Sequence, residues 1–264
     1  MHRSLLLTES KFTHMNRFEF YYKHSLLAFF IQRAQAKWFP PAKLDVEGVT
    51  LQLDCLPAQM RYVILSGAYE CNEMTILPSF IQESDQVLEI GSAIGFLGLY
   101  CQKVLKVKRL VGVEPNPVTL EYLRRNYALN NIKPNIIEAA IAAKDGPVTF
   151  HTTDMFWTDS LATQSNNPSP KHITVEGLSF TSILRRAGPG FNTLIIDVEG
   201  AEEYIPFDSI PSEVNKILIE IHPEVTGGRK AFGILEILIR SGFTIHAFQN
   251  NCCGLIRSGH TTTS

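Results

Sequence analysis

Apolar runs of four to seven residues recur along this chain, and most are followed by a stretch patterned at helical spacing. Gln86 to Ile90 is mostly apolar and β-prone, bounded by Ser84-Asp85 and Gly91, as expected of a central parallel strand. Arg109 to Val113, Asn135 to Ile141, Thr193 to Ile196 and Lys216 to Ile221 read the same way. Between them, Gly95 to Leu105, Val118 to Asn130, Thr181 to Ala187 and Lys230 to Ser241 read as helices. In the second of these, Leu120, Leu123, Tyr127 and Leu129 form the buried face. Phe243 to Phe248 and Gly254 to Arg257 are the last two strands. Strands alternating with helices predict an α/β domain with a doubly wound, mostly parallel sheet.

The flanking pattern is different. Residues 9–38 read as helical, with Phe18, Tyr21, Tyr22, Ser25, Leu26 and Phe29 at helical spacing. That stripe suits packing on the next domain or on a second copy, a homodimer through the N-terminal helix. Pro40-Pro41 ends it. Val46 to Leu53 alternates as a half-buried strand, Arg61 to Leu65 reads as another, and a short amphipathic helix ends at Gln82. Val148 to His151 and His172 to Leu178 are expected to pair, with an exposed polar loop over 158–171 between them. The predicted organisation is an N-terminal, mainly helical extension (1–47), one α/β domain (48–258) and a frayed tail (259–264).

Composition narrows the class only slightly. The 264 residues are 45% hydrophobic and 19% charged, with a formal net charge of −2. This is an ordinary globular balance; the expectation drawn from it is no nucleic-acid partner. Leu5-Leu6-Leu7 is too short a run for a signal peptide and Leu26 to Ile31 too short for a membrane span. Five cysteines without paired Cys-x-x-Cys units argue for reduced thiols and a cytoplasmic setting.

The candidate chemistry sits at strand ends. Glu89-Ile90-Gly91 followed by Gly95 is a strand, a glycine turn and a helix start, the arrangement that presents backbone N–H groups to a ligand. It lacks the second glycine of a dinucleotide fingerprint, because Ala93 stands there. This argues against a nicotinamide-dependent oxidoreductase. Glu114 ends the second strand, where an acid can accept hydrogen bonds from ribose hydroxyls, and Asn116 is placed to cap the next helix. Thr193 to Glu202 is an apolar strand running into Asp197, Glu199 and Glu202. Of these, Asp197 emerges directly from the strand, while Glu202 is expected to start a helix and favour its dipole. His222 follows the next strand and faces the same edge. Glu70 and Glu73 lie three apart before the first strand, either as a solvated face or across the ligand.

Four motifs in order carry a resemblance. They are Val-Leu-Glu-Ile-Gly-Ser-Ala-Ile-Gly (87–95), Glu-Pro-Asn-Pro (114–117), Asn126 with Leu129-Asn130-Asn131, and Ile-Asp-Val-Glu-Gly-Ala-Glu (196–202). Together, and with Tyr69-Glu70, they resemble the FkbM-type S-adenosylmethionine-dependent methyltransferases from about Gly67 to His222. The resemblance implies a seven-stranded class I methyltransferase fold with an antiparallel last strand. It also implies O-methylation of a hydroxyl on a sugar or natural-product acceptor. Glu89, Gly91, Ser92 and Gly95 would surround the methionine part of S-adenosylmethionine, with Glu70 lying across it. Glu114 and Asn116 would hold the ribose, and Ala140 and Ile141 the adenine. Asp197 or His222, then Glu199, would be the base. Carboxylates with one histidine also suit Mg²⁺ or Mn²⁺, but no ligand set is diagnostic. The chain has Glu89, Ser92 and Ala93 where that family usually has Asp, Ala and Asn, and Ile195 where it has Lys. Those changes leave a non-catalytic interaction module as the alternative reading.

Overall fold

The computed structural model describes residues 26–152 and 171–259. The expected polar loop and most of the expected N-terminal helix lie outside them. The described part opens with α1 (Leu26–Trp38), then a two-stranded hairpin, β1 (Lys43–Val46) and β2 (Val49–Gln52), and α2 (Ala58–Leu65). Two expectations are corrected here. The alternation read as one strand over 46–53 is a hairpin, turned at Glu47 and Gly48, both at positive φ, so the boundary placed after residue 47 falls inside that turn. Arg61 to Leu65 is helical rather than extended. Pro57 starts the helix, and Met60 and Ile64, one turn apart, are its buried residues.

Next come α3 (Cys71–Phe80), β3 (Gln86–Ile90), α4 (Phe96–Lys103), β4 (Arg109–Val113), α5 (Pro117–Leu129) and β5 (Ile136–Ile137). A small sheet follows, built of β6 (Ala140–Ile141), β7 (Gly146–Thr152) and β8 (Lys171–Leu178). The chain then runs through α6 (Phe180–Ala187), β9 (Thr193–Ile196), β10 (Lys216–Glu220), α7 (Pro223–Thr226), α8 (Gly228–Arg240), β11 (Phe243–Gln249) and β12 (Cys252–Arg257). The main sheet has the order β11-β12-β10-β9-β3-β4-β5. Its strands β10, β9, β3, β4 and β5 run parallel, and β12 is antiparallel to both neighbours. The order reverses between β3 and β9, so the ligand crevice of such a sheet lies beyond their carboxyl ends. The predicted single strand over 135–141 is divided: β5 pairs with β4, whereas β6 pairs with β8.

Two apolar layers hold the sheet. One packs Phe80, Phe96, Leu99 and Tyr127 with Leu51 and Leu53 of the hairpin; the other packs Phe180, Ile183, Leu238 and Phe243. Asn126 and Asn130 tie the hairpin to the sheet. Their side-chain oxygens accept the N–H groups of Gln52 and Thr50, and Asn126 Nδ2 donates to the Ile94 carbonyl in the glycine turn. Under the opposite sheet edge, Lys216 Nζ meets Asp85 Oδ2 at 2.7 Å, with the two side chains 7% and 3% exposed.

Removing one member of a buried ion pair leaves the other uncompensated, which costs about 3–5 kcal/mol. Lys216→Met is therefore expected to lower the urea unfolding free energy by that amount. The double variant Lys216→Met/Asp85→Leu is expected to recover most of the loss.

Candidate functional site

Gly91 sets the site's geometry. At φ +94° it turns the chain out of β3, and a Cβ there would lie 1.6 Å from the Asp197 carbonyl oxygen. The tips of β3 and β9 can approach so closely only with glycine at this position. The Asp197 N–H donates to the Ile90 carbonyl at 3.0 Å, and both Gly91 and Ser92 N–H donate to Val113. Three strand tips are thereby locked together.

Above them is a cleft of about 630 Å³ lined by Glu70, Gly91, Ala93, Glu114, Ala139, Ala140, Ile141, Phe150, Asp197 and Glu199, among others. Glu114 Oε2 accepts the Ala93 N–H at 3.0 Å, and its Oε1 accepts the Asn116 N–H at 2.9 Å. The carboxylate is thus fixed between the glycine turn and the start of α5. Asn116 caps that helix as expected, its Oδ1 accepting from the Val118 N–H at 2.9 Å.

Of the sequence-predicted residues, Glu70, Gly91, Glu114, Ala140, Ile141, Asp197 and Glu199 share the cleft wall. Glu89, Ser92, Gly95, Asn116 and His222 are not part of it. Glu89 was expected beside the ligand. It is 1% exposed and turned under the sheet, where its Oε2 has no hydrogen-bond partner among the described residues. It faces Gly98, whose missing Cβ leaves room for that oxygen and for the Tyr127 hydroxyl. Burial pushes the Glu89 carboxyl up to about 7, against the opposing pull of hydrogen bonding from Ser92 and the Gly98 backbone. Ser92 lies against Gly112, and Gly95 against Leu123 and Tyr127. All three shape the turn from below.

The far side of the cleft is a half-buried cluster of acids around one buried imidazole. His222 is 3% exposed. Its Nδ1 is 2.6 Å from Glu202 Oε1, and its Nε2 is 3.5, 3.6 and 3.8 Å from carboxylate oxygens of Glu199, Asp197 and Glu220. Burial alone would lower its pKa. The Glu202 hydrogen bond and the charges of Glu199, Glu202 and Glu220 outweigh that and raise it to about 9. That shift favours the protonated imidazole at neutral pH. The expectation for Glu202 is corrected. It opens a short 3₁₀ turn, but its side chain is 1% exposed and anchors His222 rather than serving a helix dipole. Glu73 was weighed as part of a solvated face, yet it is 4% exposed, with its carboxyl raised to about 7 by burial and then by Glu220. Burial, followed by Glu220, Glu199, Glu70 and Glu73, raises Asp197 well above the usual carboxylate range. Glu70 is raised too, by burial and then Glu73. Glu220 is the site residue that sequence reasoning missed, while Glu73 and Glu202 were named without their burial being foreseen. The one available signal was the concentration of acids after apolar strands.

The sheet order, with its antiparallel β12 between β10 and β11, is that of a seven-stranded doubly wound domain. This is a class I methyltransferase fold. Residues 48–151 match the sequence model of the TRM5/TYW2 methyltransferase domain. That segment holds β2 to β7 and the turn with Glu114, and ends before Asp197, Glu220 and His222. A comparison with curated protein sequences gave no match. Among solved structures the chain is similar to methyltransferase FkbM from Methylobacillus flagellatus KT, with 14% identity over 87% of this chain and 58% of that one and a TM-score of 0.40. It thus spans less than two thirds of that protein. It is also similar to a methyltransferase from Pyrococcus furiosus (14% identity, 88% and 96% covered, TM-score 0.45). A third is the Pyrococcus abyssi tRNA (uracil-54, C5)-methyltransferase in complex with S-adenosyl-L-homocysteine (14% identity, 83% and 45% covered, TM-score 0.41). The TRM5/TYW2 match overturns the expectation of no nucleic-acid partner. A net charge of −2 says nothing about a local binding face, and the exclusion of nucleic acid is withdrawn.

The buried Glu89 carboxyl yields a stability prediction. It holds its proton more tightly in the folded chain, so stability falls as pH climbs from the unfolded value near 4.5 to the folded value near 7. Glu89→Gln is expected to remove that loss, worth roughly 3 kcal/mol, and to gain on the wild type across this window. Urea unfolding at pH 5 and pH 8 measures the difference.

Proposed function

We propose that this chain is an S-adenosylmethionine-dependent methyltransferase that acts on an acceptor hydroxyl at the acidic side of the cleft. The observation that carries the reading is Glu114. It is fixed at the tip of β4 by two backbone N–H groups and faces a cleft whose other wall is Val113, Ala139, Ala140 and Ile141. An acid for ribose hydroxyls beside an apolar slot for a purine is what a nucleoside cofactor needs. The match of residues 48–151 to a methyltransferase domain supports the same reading.

The cofactor supplies an electrophilic methyl group on a sulfonium. Glu114 holds the ribose, Ala140 and Ile141 pack the base, and the Gly91 turn lets the backbone come close. Asp197 and Glu199 stand at the opposite end of the cleft. Asp197 lines the cleft directly after β9 and is the group placed to take the hydroxyl proton. His222 then acts behind it as a buried positive charge that keeps the acids compatible. The five cysteines are free, which suits a cytoplasmic setting. Among the described residues no helix is long and apolar enough to cross a membrane.

The acceptor is either a hydroxylated small molecule or an RNA nucleoside. The TRM5/TYW2 match favours the second, but it does not reach the acceptor-side residues.

Transfer of a labelled methyl group from S-adenosylmethionine to tRNA and to hydroxylated small molecules tests this reading. Asp197→Asn is expected to lower kcat by about 10²–10⁴-fold, the usual worth of a general base, while cofactor affinity changes only a few-fold. Equal turnover in the variant would remove Asp197 from that role.

A further inference from the structure

Asp197, Glu220 and His222 come together behind the cleft. Asp197 follows β9, while Glu220 ends β10 and is two residues before His222. One donor atom from each of these three lies within 4.8 Å of the others. Among the described residues, no Lys or Arg forms an ion pair with Asp197 or Glu220.

The donors are held from behind. Glu202 accepts from His222 Nδ1 and is itself tied to the Gly200 N–H at 3.2 Å. Asn251 Nδ2 donates to Glu220 Oε1, and Asn72 Nδ2 holds Asn251 Oδ1 at 3.1 Å. A carboxylate on one ring nitrogen of a histidine fixes the tautomer and aims the other nitrogen, as in metal sites. Here Nε2 is aimed at oxygens 3.5–3.8 Å away. These separations are long for hydrogen bonds. An ion with bonds of about 2.1 Å fits between donors spaced this way at angles wider than a right angle.

An orphan atom points the same way. Asp197 Oδ1, 3.6 Å from Nε2, is buried without a hydrogen-bond partner among the described residues. Buried carboxylate oxygens do not stay orphaned cheaply. A cation between Nε2, Asp197 and Glu220 would give it a partner.

We propose that Asp197, Glu220 and His222 bind one hard divalent cation, Mn²⁺ or Mg²⁺, with Glu202 and Asn251 as positioning residues. Oxygen donors with a single imidazole suit these ions better than soft ones. The site opens on the cleft through Asp197, so the ion would neutralise the acidic wall and hold the acceptor oxygen, easing loss of its proton. Its use in catalysis rests on the methyltransferase reading; the binding site itself does not.

The test is direct titration of the chelator-treated full chain with Mn²⁺, read by loss of the free-ion electron paramagnetic resonance signal, with Mg²⁺ as competitor. S-adenosylhomocysteine binding is measured on the same samples. One Mn²⁺ per chain is expected, displaced by Mg²⁺. Glu220→Gln is expected to abolish it, and Glu202→Gln to weaken it about 10–100-fold. All variants should keep their circular dichroism and thermal transition. Failure of wild type to bind millimolar Mn²⁺ overturns the proposal and leaves protonated His222 as the only cation. Binding that Glu220→Gln and Glu202→Gln both leave intact overturns it equally. Should Glu220→Gln not fold, Glu202→Gln and His222→Gln decide the matter. Metal binding without S-adenosylhomocysteine binding would fault the methyltransferase reading alone, and the reverse would fault the metal site alone.

Discussion

His222 meets Glu202 through one ring nitrogen and faces Asp197, Glu199 and Glu220 with the other. That contact governs how the tips of β9 and β10 can come together. Acids buried side by side repel one another and resist desolvation. They coexist here because the imidazole lies among them, because Glu202 Oε1 also accepts the Gly200 N–H, and because Glu220 Oε1 accepts from Asn251. The apolar sheet beneath supplies the low-dielectric setting that makes each of these contacts strong.

The two ends of the cleft are built by different means. The cofactor end is mostly backbone. Gly91 permits the close approach to Asp197, and Glu114 is clamped by N–H groups from the turn and from the start of α5. The acidic end is all side chains, drawn from α3, β9, β10 and the segments after them. The first is a local consequence of one strand-turn-helix unit. The second needs elements some 150 residues apart to meet. The family-model match covers the first end and stops before the second.

The same division decides what could be read from the chain. The central strands were legible because each is a short apolar run with a turn signal at its end. Glu114 and Asp197 were legible because an acid directly after such a run must lie at the carboxyl edge of a parallel sheet. Asn116 was legible as a cap. Glu89 misled, since strand alternation sets which face a side chain takes, and here it points under α4 toward Gly98. Glu73 and Glu202 were illegible, because a carboxylate bound for burial looks like any solvated one until its partner is placed. Arg61 to Leu65 shows the ordinary ambiguity of a short apolar run, which becomes a helix once Met60 and Ile64 find the same core. The split of 135–141 arose where the chain leaves β4 to join β8, a tertiary choice that local pattern does not encode.

The central claim is that the Glu114 cleft binds the nucleoside part of S-adenosylmethionine. Calorimetric titration with S-adenosylhomocysteine measures it most directly, on the wild type and on Glu114→Gln. That substitution keeps the side chain's shape but removes its charge. Two ribose hydrogen bonds to a carboxylate are worth about 1.5–3 kcal/mol each. Saturable one-to-one binding by the wild type, weakened at least tenfold in a folded Glu114→Gln protein, is the expected result. Equal affinity in the two proteins, or no binding by the folded wild type, would contradict the account.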